Sequence, residues 1–333
     1  MSAVPGMGPS VAGRVDADEA GRLFARTVDA VAEIVLTDRV VVELAVVAVM
    51  VEGHLLIEDR PGLGKTTLAK TLAAATSLDC RRVQCTADLL PADVTGALVF
   101  DAKSGMPVFR PGPIFTNIVL ADELNRASAR SQSAFLEAMG EHQVTVDGVT
   151  HDLPRPFVVI ATQNPFDDVG TTTLPHGQRD RFLLRLSLGY PTRADERELL
   201  IHGDRSALVA EIPSIGFDNL MRLRAAADAV HVSSEVAAYV LELLEATRRH
   251  ESVLVGASPR AGLAVLRSAS GLAAGRGRDY VAPDDVQMVA VPALAHRLLL
   301  TPEAALYGIE PSVVVEEVLN VVPVVSADAA LAD

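Results

Sequence analysis

Basic residues are scarce in this chain of 333 residues: Lys and Arg total 29 against 43 Asp and Glu, a formal charge of −14. A nucleic-acid-binding surface normally shows as clustered basic residues. The balance therefore argues against a large footprint of that kind, though not against a local basic pore. Cysteine is scarcer still. Cys80 and Cys85 are the only two, with no second pair and no suitably spaced histidine, so they read as ordinary reduced thiols rather than part of a zinc site. Long apolar runs are missing as well. The most membrane-like stretch, Leu44 to Val51, is eight residues bracketed by Glu43 and Glu52, whereas a bilayer span needs about 20. No basic segment leading into an apolar one opens the chain, so a secretory signal is not expected. Residues 1–18, rich in Gly, Pro and small residues, are expected to form a flexible tail. A soluble, cytoplasmic protein without a transmembrane segment is expected.

What is present is a large apolar content, 49% of residues, enough for a sizeable buried core, and a length of 333 residues that suggests roughly two domains at about 150 residues each. Across the first 190 residues, short apolar runs alternate with helical patterns: 54–58, 81–86, 117–122, 157–162 and 182–187. Strands this apolar without alternation are buried on both faces, as in a parallel α/β sheet. Two segments interrupt the order, one around Ser104-Gly105 and one around Asp147-Gly148, and both read as hairpins. From about Ala194 onward, apolar residues recur at helical spacing. Ser258-Pro259 supplies an N-cap and a first-turn proline, and Gly275 with Gly277 a stop. The expectation is an αβα nucleotide-binding domain over 19–191, a five-stranded parallel sheet with two hairpin insertions, followed by an all-helical domain over 192–333.

Three motifs carry chemistry. Asp59-Arg60-Pro61-Gly62-Leu63-Gly64-Lys65-Thr66, continued by Thr67, has the spacing of a phosphate-binding loop, but Asp59 stands where that loop normally starts with glycine. Gly62 and Gly64 let the backbone turn its N–H groups toward phosphate oxygens at a helix N-terminus. Lys65 can reach the β- and γ-phosphates of ATP, and Thr66 can offer its hydroxyl to Mg²⁺. Aspartate tolerates left-handed turns better than most residues, which is how Asp59 is expected to be accommodated. The second motif is an apolar strand ending in Asp122-Glu123, where Asp122 would hold Mg²⁺ through water and Glu123 would act as general base. The third is Asn164, after the strand 157–162, whose carboxamide could orient the attacking water. Each motif alone also has a bland reading as a helix start or a turn.

The ordered set "PGLGKTTLAK", "GPIFTNIVLADELNRA", "FVVIATQNP", "LPHGQRDRFLLRL" and "GASPRAGLAVLRSA" resembles the MoxR family of AAA+ ATPases, of the helix-2-insert group, over about Val41 to Leu300. By position, the resemblance implies that Lys65, Thr66, Asp122 and Glu123 are the Walker residues and Asn164 is sensor 1. It implies that Arg260 is the sensor 2 arginine reaching from the helical lid to the γ-phosphate, and that Arg181 is the finger acting on a neighbouring subunit's nucleotide. Arg179 and Arg126 are further finger candidates. An acidic residue at the position of Asp59 is familiar in the family, whereas Thr37-Asp38 replaces its usual Gly-Gln and leaves the adenine contact open. The implied activity is Mg²⁺-dependent ATP hydrolysis in a homo-oligomeric ring, a hexamer. The implied job is chaperone-like, remodelling or maturing a client protein or metalloenzyme with a separate von Willebrand factor A (VWA) domain protein. Two alternatives share much of this machinery: a metal-chelatase ATPase subunit, and a nucleic-acid motor. Against the latter, the hairpin tips carry a single lysine between them, and no nucleic acid is expected. A non-hydrolysing scaffold would not need Glu123, Asn164 and Arg260. The stretch after Leu300 is open between a lid helix, an edge strand and a partner-binding tail.

Overall fold

A computed structural model describes residues 16–164 and 174–324; the expected tail over 1–18 lies outside them except for its last three residues. Helices α1 (Ala17–Ile34) and α2 (Arg39–Met50) precede β1 (Leu55–Glu58). The phosphate loop leads to α3 (Lys65–Thr76), β2 (Cys80–Gln84) and α4 (Pro91–Thr95). A hairpin of β3 (Gly96–Asp101) and β4 (Met106–Pro111) follows, then β5 (Ile118–Asp122) and α5 (Ala129–Glu141). A second hairpin, β6 (Gln143–Val146) and β7 (Val149–Asp152), leads to β8 (Val158–Gln163), α6 (His176–Arg179) and β9 (Leu184–Leu186).

The five strands β2, β5, β8, β1 and β9 form one sheet in that spatial order, and every pairing is parallel. Successive strand residues face opposite sides, and here both sides are apolar. Leu55, Ile57, Ile118, Leu120, Val158 and Ile160 enter one core with α1, α2 and α3. Leu56, Val119, Ala121, Val159 and Ala161 enter a second core with Phe135 and Met139 of α5. That two-sided burial is why β1, β5 and β8 read as apolar runs; the expectation fails for β2, an edge strand whose Arg81, Arg82 and Gln84 are exposed. Ser128 caps α5, its side chain accepting from the Ser131 backbone N–H. The Asp147-Gly148 hairpin turn has the two positive φ angles, 49° and 80°, that an Asp-Gly turn supplies.

The C-terminal region is helical: α7 (Arg193–His202), α8 (Phe217–Asp228), α9 (Ser234–Arg249), then β10 (Val253–Val255) and α10 (Pro259–Gly275). It continues with α11 (Pro283–Leu294), β11 (Leu299–Leu300), α12 (Pro302–Leu306) and α13 (Pro311–Val321). One detail departs from an all-helical reading: β10 and β11 pair as a short antiparallel ribbon. Among the described residues after Leu300, α12 and α13 are helices, and α13 buries Val314, Val315 and Val318 against the lid. Ser258 caps α10 through the Ala261 N–H, and Pro259 occupies the first turn. Helix α10 packs against α11 and α8, and also against α1 and α2. One apolar core therefore runs from the sheet into the lid without a break.

Candidate active site

A cavity of about 540 Å³ opens at the C-terminal ends of the strands, where β1 delivers the phosphate loop. Ligands of open α/β sheets bind at this edge. Pro61 to Thr67 form one wall, Asp122, Glu123 and Asn164 another, and Ile34, Val35, Leu36, Pro191 and Leu199 an apolar end. Asp204 and Arg205 close the rim. Gly62 and Gly64 have φ of 84° and 85°, a region that costs other residues about 1–2 kcal/mol. Gly64 is the N-cap of α3, so the unpaired N–H groups of the first helical turn face the loop. Lys65 Nζ donates to the Asp59 carbonyl and, at 3.3 Å, to the Gln163 carbonyl, which places it across the ends of β1 and β8.

Two loop residues expected at the cofactor are turned elsewhere. Asp59 does not line the cavity and has no left-handed φ, so the expected turn geometry is not how it fits. Its buried Oδ2 accepts from the N–H of Leu188, from the N–H of Gly189 at 3.2 Å and from Ser187 Oγ at 3.0 Å. The aspartate thus ties the loop to the segment leaving β9. Arg60 points outward and donates to the Tyr190 hydroxyl at 2.8 Å.

Asp122 and Glu123 end β5 side by side but face different partners. Asp122 Oδ1 accepts from Thr162 Oγ1 at 2.6 Å, and its Oδ2 accepts from Arg82 Nε and Nη2 at 2.9 and 2.6 Å. Glu123 sits at φ 57°, held there by a 2.8 Å hydrogen bond from its own N–H to Thr162 Oγ1. A left-handed glutamate is a local strain, and it re-aims the carboxylate away from the strand. Glu123 Oε2 accepts from Gln84 Nε2 and Arg126 Nη1, both at 3.1 Å. Burial, with the carboxylates of Asp122 and Glu123 nearby, pushes the Cys85 thiol up to about 12, which makes it an inert neighbour of the site. Thr66 and Asp122 are hard oxygen donors on the same cavity, as Mg²⁺ requires; Asp122 would share its carboxylate with Arg82.

A second cavity, of about 300 Å³, shares no lining residue with the first. Arg181, Arg260, Arg267 and Arg297 line it together with Asp180, Glu52, His54 and His142. The sensor 2 expectation is corrected here: Arg260 does not reach the nucleotide cavity of its own chain. It sits 3.9 Å from Asp180 with a 62% exposed side chain, beside Arg181, because the N-terminus of α10 meets Asp180, whose Oδ1 lies 3.4 Å from the capping Ser258 Oγ. Arg179 lines neither cavity and is held near Glu58 and Arg185. Arg126 stays on Glu123. Thr37 and Asp38 flank the apolar end of the first cavity: Thr37 Oγ1 donates to the Leu188 carbonyl and Asp38 caps α2. Sequence reasoning passed over Arg82, Gln84, Thr162 and Arg297. Thr162 and Gln84 stand at strand ends, which was a usable signal; the arginines look like any surface charge.

The fold and this site define the class. A family model described as "ATPase family associated with various cellular activities (AAA)" matches residues 54–184, and one for the AAA lid domain matches 245–318. The molecule is an ATP-hydrolysing AAA+ enzyme. The chain is 41% identical to the uncharacterised protein YeaC of Bacillus subtilis, over 91% of this chain and 95% of that one. It is 39% identical to Chaperone MoxR1 of Mycobacterium tuberculosis, over 89% and 81%, and 30% identical to Protein MoxR of Paracoccus denitrificans, over 81% and 86%. The crystal structure of a candidate ATPase from Cytophaga hutchinsonii superposes with a TM-score of 0.86 at 33% identity, covering 93% of this chain and 97% of that chain. The chain belongs to the MoxR family of AAA+ ATPases.

Proposed function

We propose that this enzyme hydrolyses Mg²⁺-ATP in a hexameric ring, each active site being completed by the adjacent protomer, and that turnover drives the remodelling of a partner protein. Lys65 and the loop N–H groups bind the β- and γ-phosphates. Thr66 and Asp122 hold Mg²⁺, which when bound neutralises charge on the phosphate oxygens. Glu123 takes the proton from the attacking water, and Asn164 orients that water. Arg181 and Arg260 reach the γ-phosphate bound by the neighbour, where a rigid, permanently charged fork suits phosphate oxygens.

The observation that carries the ring is the separation of the two cavities: the arginines lie with each other and away from the residues that would position ATP. An arginine that must meet phosphate, and cannot within its own chain, needs a second chain. The relative named a chaperone supports a protein client, and so does the first hairpin. Phe100, Met106 and Val108 are exposed there, while its tip carries Lys103 as the one basic residue. A VWA-domain protein as co-factor and a cytoplasmic setting complete the reading.

The test is ATP turnover per protomer over a hundredfold range of protein concentration. Turnover should climb with concentration. Arg181→Ala should remove on the order of 10³-fold, as finger arginines do, while leaving nucleotide affinity in place; Lys65→Ala should remove the affinity itself. A flat concentration profile with an active Arg181→Ala variant would sink the ring.

A further inference from the structure

The segment bearing Arg181 is anchored from the lid on both sides of that residue. Arg297, at the end of the 3₁₀ turn after α11, is only 3% exposed. Its Nη2 donates to the Phe182 carbonyl at 2.6 Å, and its Nε lies 3.6 Å from Asp180 Oδ1. His296 Nε2 meets the same Phe182 carbonyl at 3.1 Å. His176, at the other end of the segment, returns a 2.6 Å hydrogen bond to the Arg297 carbonyl. From α10, Ser258 Oγ lies 3.4 Å from Asp180 Oδ1, and Arg260 lies 3.9 Å from Asp180 Oδ2. Residues 180 and 182 are thus both held, and Arg181 stands between them, its Nη1 donating to the Leu136 carbonyl.

Stability alone does not account for a buried arginine at 297. Desolvating a guanidinium costs several kcal/mol, and an apolar residue of similar volume usually serves packing as well or better. Desolvation brings the Arg297 pKa down to about 10, so it stays charged at neutral pH. Its Nη1 is buried without a hydrogen-bond partner among the described residues. What arginine offers here is a planar fork whose Nη2 donates to the Phe182 carbonyl while its Nε, donating to His296 Nε2 at 3.4 Å, keeps the charge beside the Asp180 carboxylate.

We propose that Arg297 is the positioning residue for Arg181, fixing the finger arginine by holding Asp180 and the Phe182 carbonyl from the lid. Movement of the lid is thereby transmitted to the arginine that faces the next protomer. The inference rests on Arg181 acting in trans.

Full-length variants mixed in pairs test it. The control pair is Glu123→Gln, which keeps its arginines but cannot hydrolyse, with Arg181→Ala, which keeps its own pocket. This pair should turn over ATP well above the sum of its members. Arg297→Met alone should lose most turnover and keep its affinity for a fluorescent ATP analogue within about twofold. Mixed with Glu123→Gln it should recover as the control does; mixed with Arg181→Ala it should not, because both members then lack the same function. Arg297→Lys, which keeps the charge and loses the fork, should behave likewise and guards against misfolding. Recovery in the control but not with either Arg297 variant would overturn the proposal, as would a loss of nucleotide affinity matching the loss of turnover. A control pair that fails to recover would bring down the trans reading, and this inference with it.

Discussion

The carboxylate of Asp59 accepts a hydrogen bond from the backbone N–H of Leu188, 129 residues further along the chain. The residue that breaks the phosphate-loop pattern is therefore a clasp between the loop and the end of β9, with Gly189 and Ser187 as its other donors.

Restoring the usual glycine should consequently do harm. Asp59→Gly leaves the buried Leu188 N–H without its acceptor, and an unsatisfied buried donor costs about 1–3 kcal/mol. We expect a fall in thermal unfolding midpoint of roughly 5 °C and a weaker grip on ATP, since the loop loses its outer anchor. Differential scanning calorimetry with and without nucleotide measures both. An unchanged midpoint would mean that the clasp contributes nothing to stability.

Arg82 holds Asp122, the carboxylate assigned to Mg²⁺, through two donors while half exposed itself. Cation and guanidinium then compete for one group. An exposed pair of this kind is worth up to about 1 kcal/mol, which corresponds to roughly fivefold in an equilibrium constant. Arg82→Ala should lower the Mg²⁺ concentration giving half-maximal nucleotide binding by several-fold, read with a fluorescent ATP analogue titrated with Mg²⁺. A higher requirement would show that Arg82 orients Asp122 for the metal instead of opposing it.

His54 is fully inside the protein, its Nδ1 accepting from the Val159 N–H and its Nε2 paired with the Met139 carbonyl, both at 3.1 Å. Burial first, with His142 and Arg267 adding like charge, pushes its pKa from 6.5 down to about 4. The folded protein therefore keeps His54 neutral where the unfolded chain takes up a proton. Its contribution is fully present above about pH 6.5 and is lost as the pH falls toward 4, by up to about 3 kcal/mol. Buried His296, also shifted well down by desolvation, adds in the same direction. Urea midpoints should drop between pH 7 and pH 5, and His54→Asn should flatten that slope. A slope unaffected by the substitution would assign the acid sensitivity to other groups.

How much of this was legible beforehand follows from the range of the forces involved. The central strands β1, β5 and β8 were readable because burial on both faces leaves an apolar run, and Ser128 and Ser258 because a cap acts within three residues; β2, at the sheet edge, buries only Val83 fully. Lys65, Thr66, Asp122, Glu123 and Asn164 could be listed together because each sits at a strand end or helix start that local pattern marks. Asp59 and Arg260 were misread for a shared reason. The partner of Asp59 is set by where β9 ends, and the location of Arg260 by how α10 packs on α1, α2 and α8. Neither leaves a trace near the residue itself. Arg297 was invisible: a basic residue ending a helix normally complements the dipole, and nothing local distinguishes one that turns inward.

The apolar end of the nucleotide cavity and its rim join Ile34 to Leu36, near one end of the chain, to Leu199, Asp204 and Arg205, from the other half. Arg205 already bridges the two sides through the Glu33 carbonyl at 2.8 Å, across 172 residues of sequence. A nucleotide lodged there would be a keystone as well as a fuel. Ligand at a hundred times its dissociation constant adds about 2.7 kcal/mol to the folded state, and here that increment falls on the junction between the first helices and the lid. Amide exchange at this junction should then slow when ATP is added, and a protomer emptied of nucleotide should be the more exposed to proteolysis.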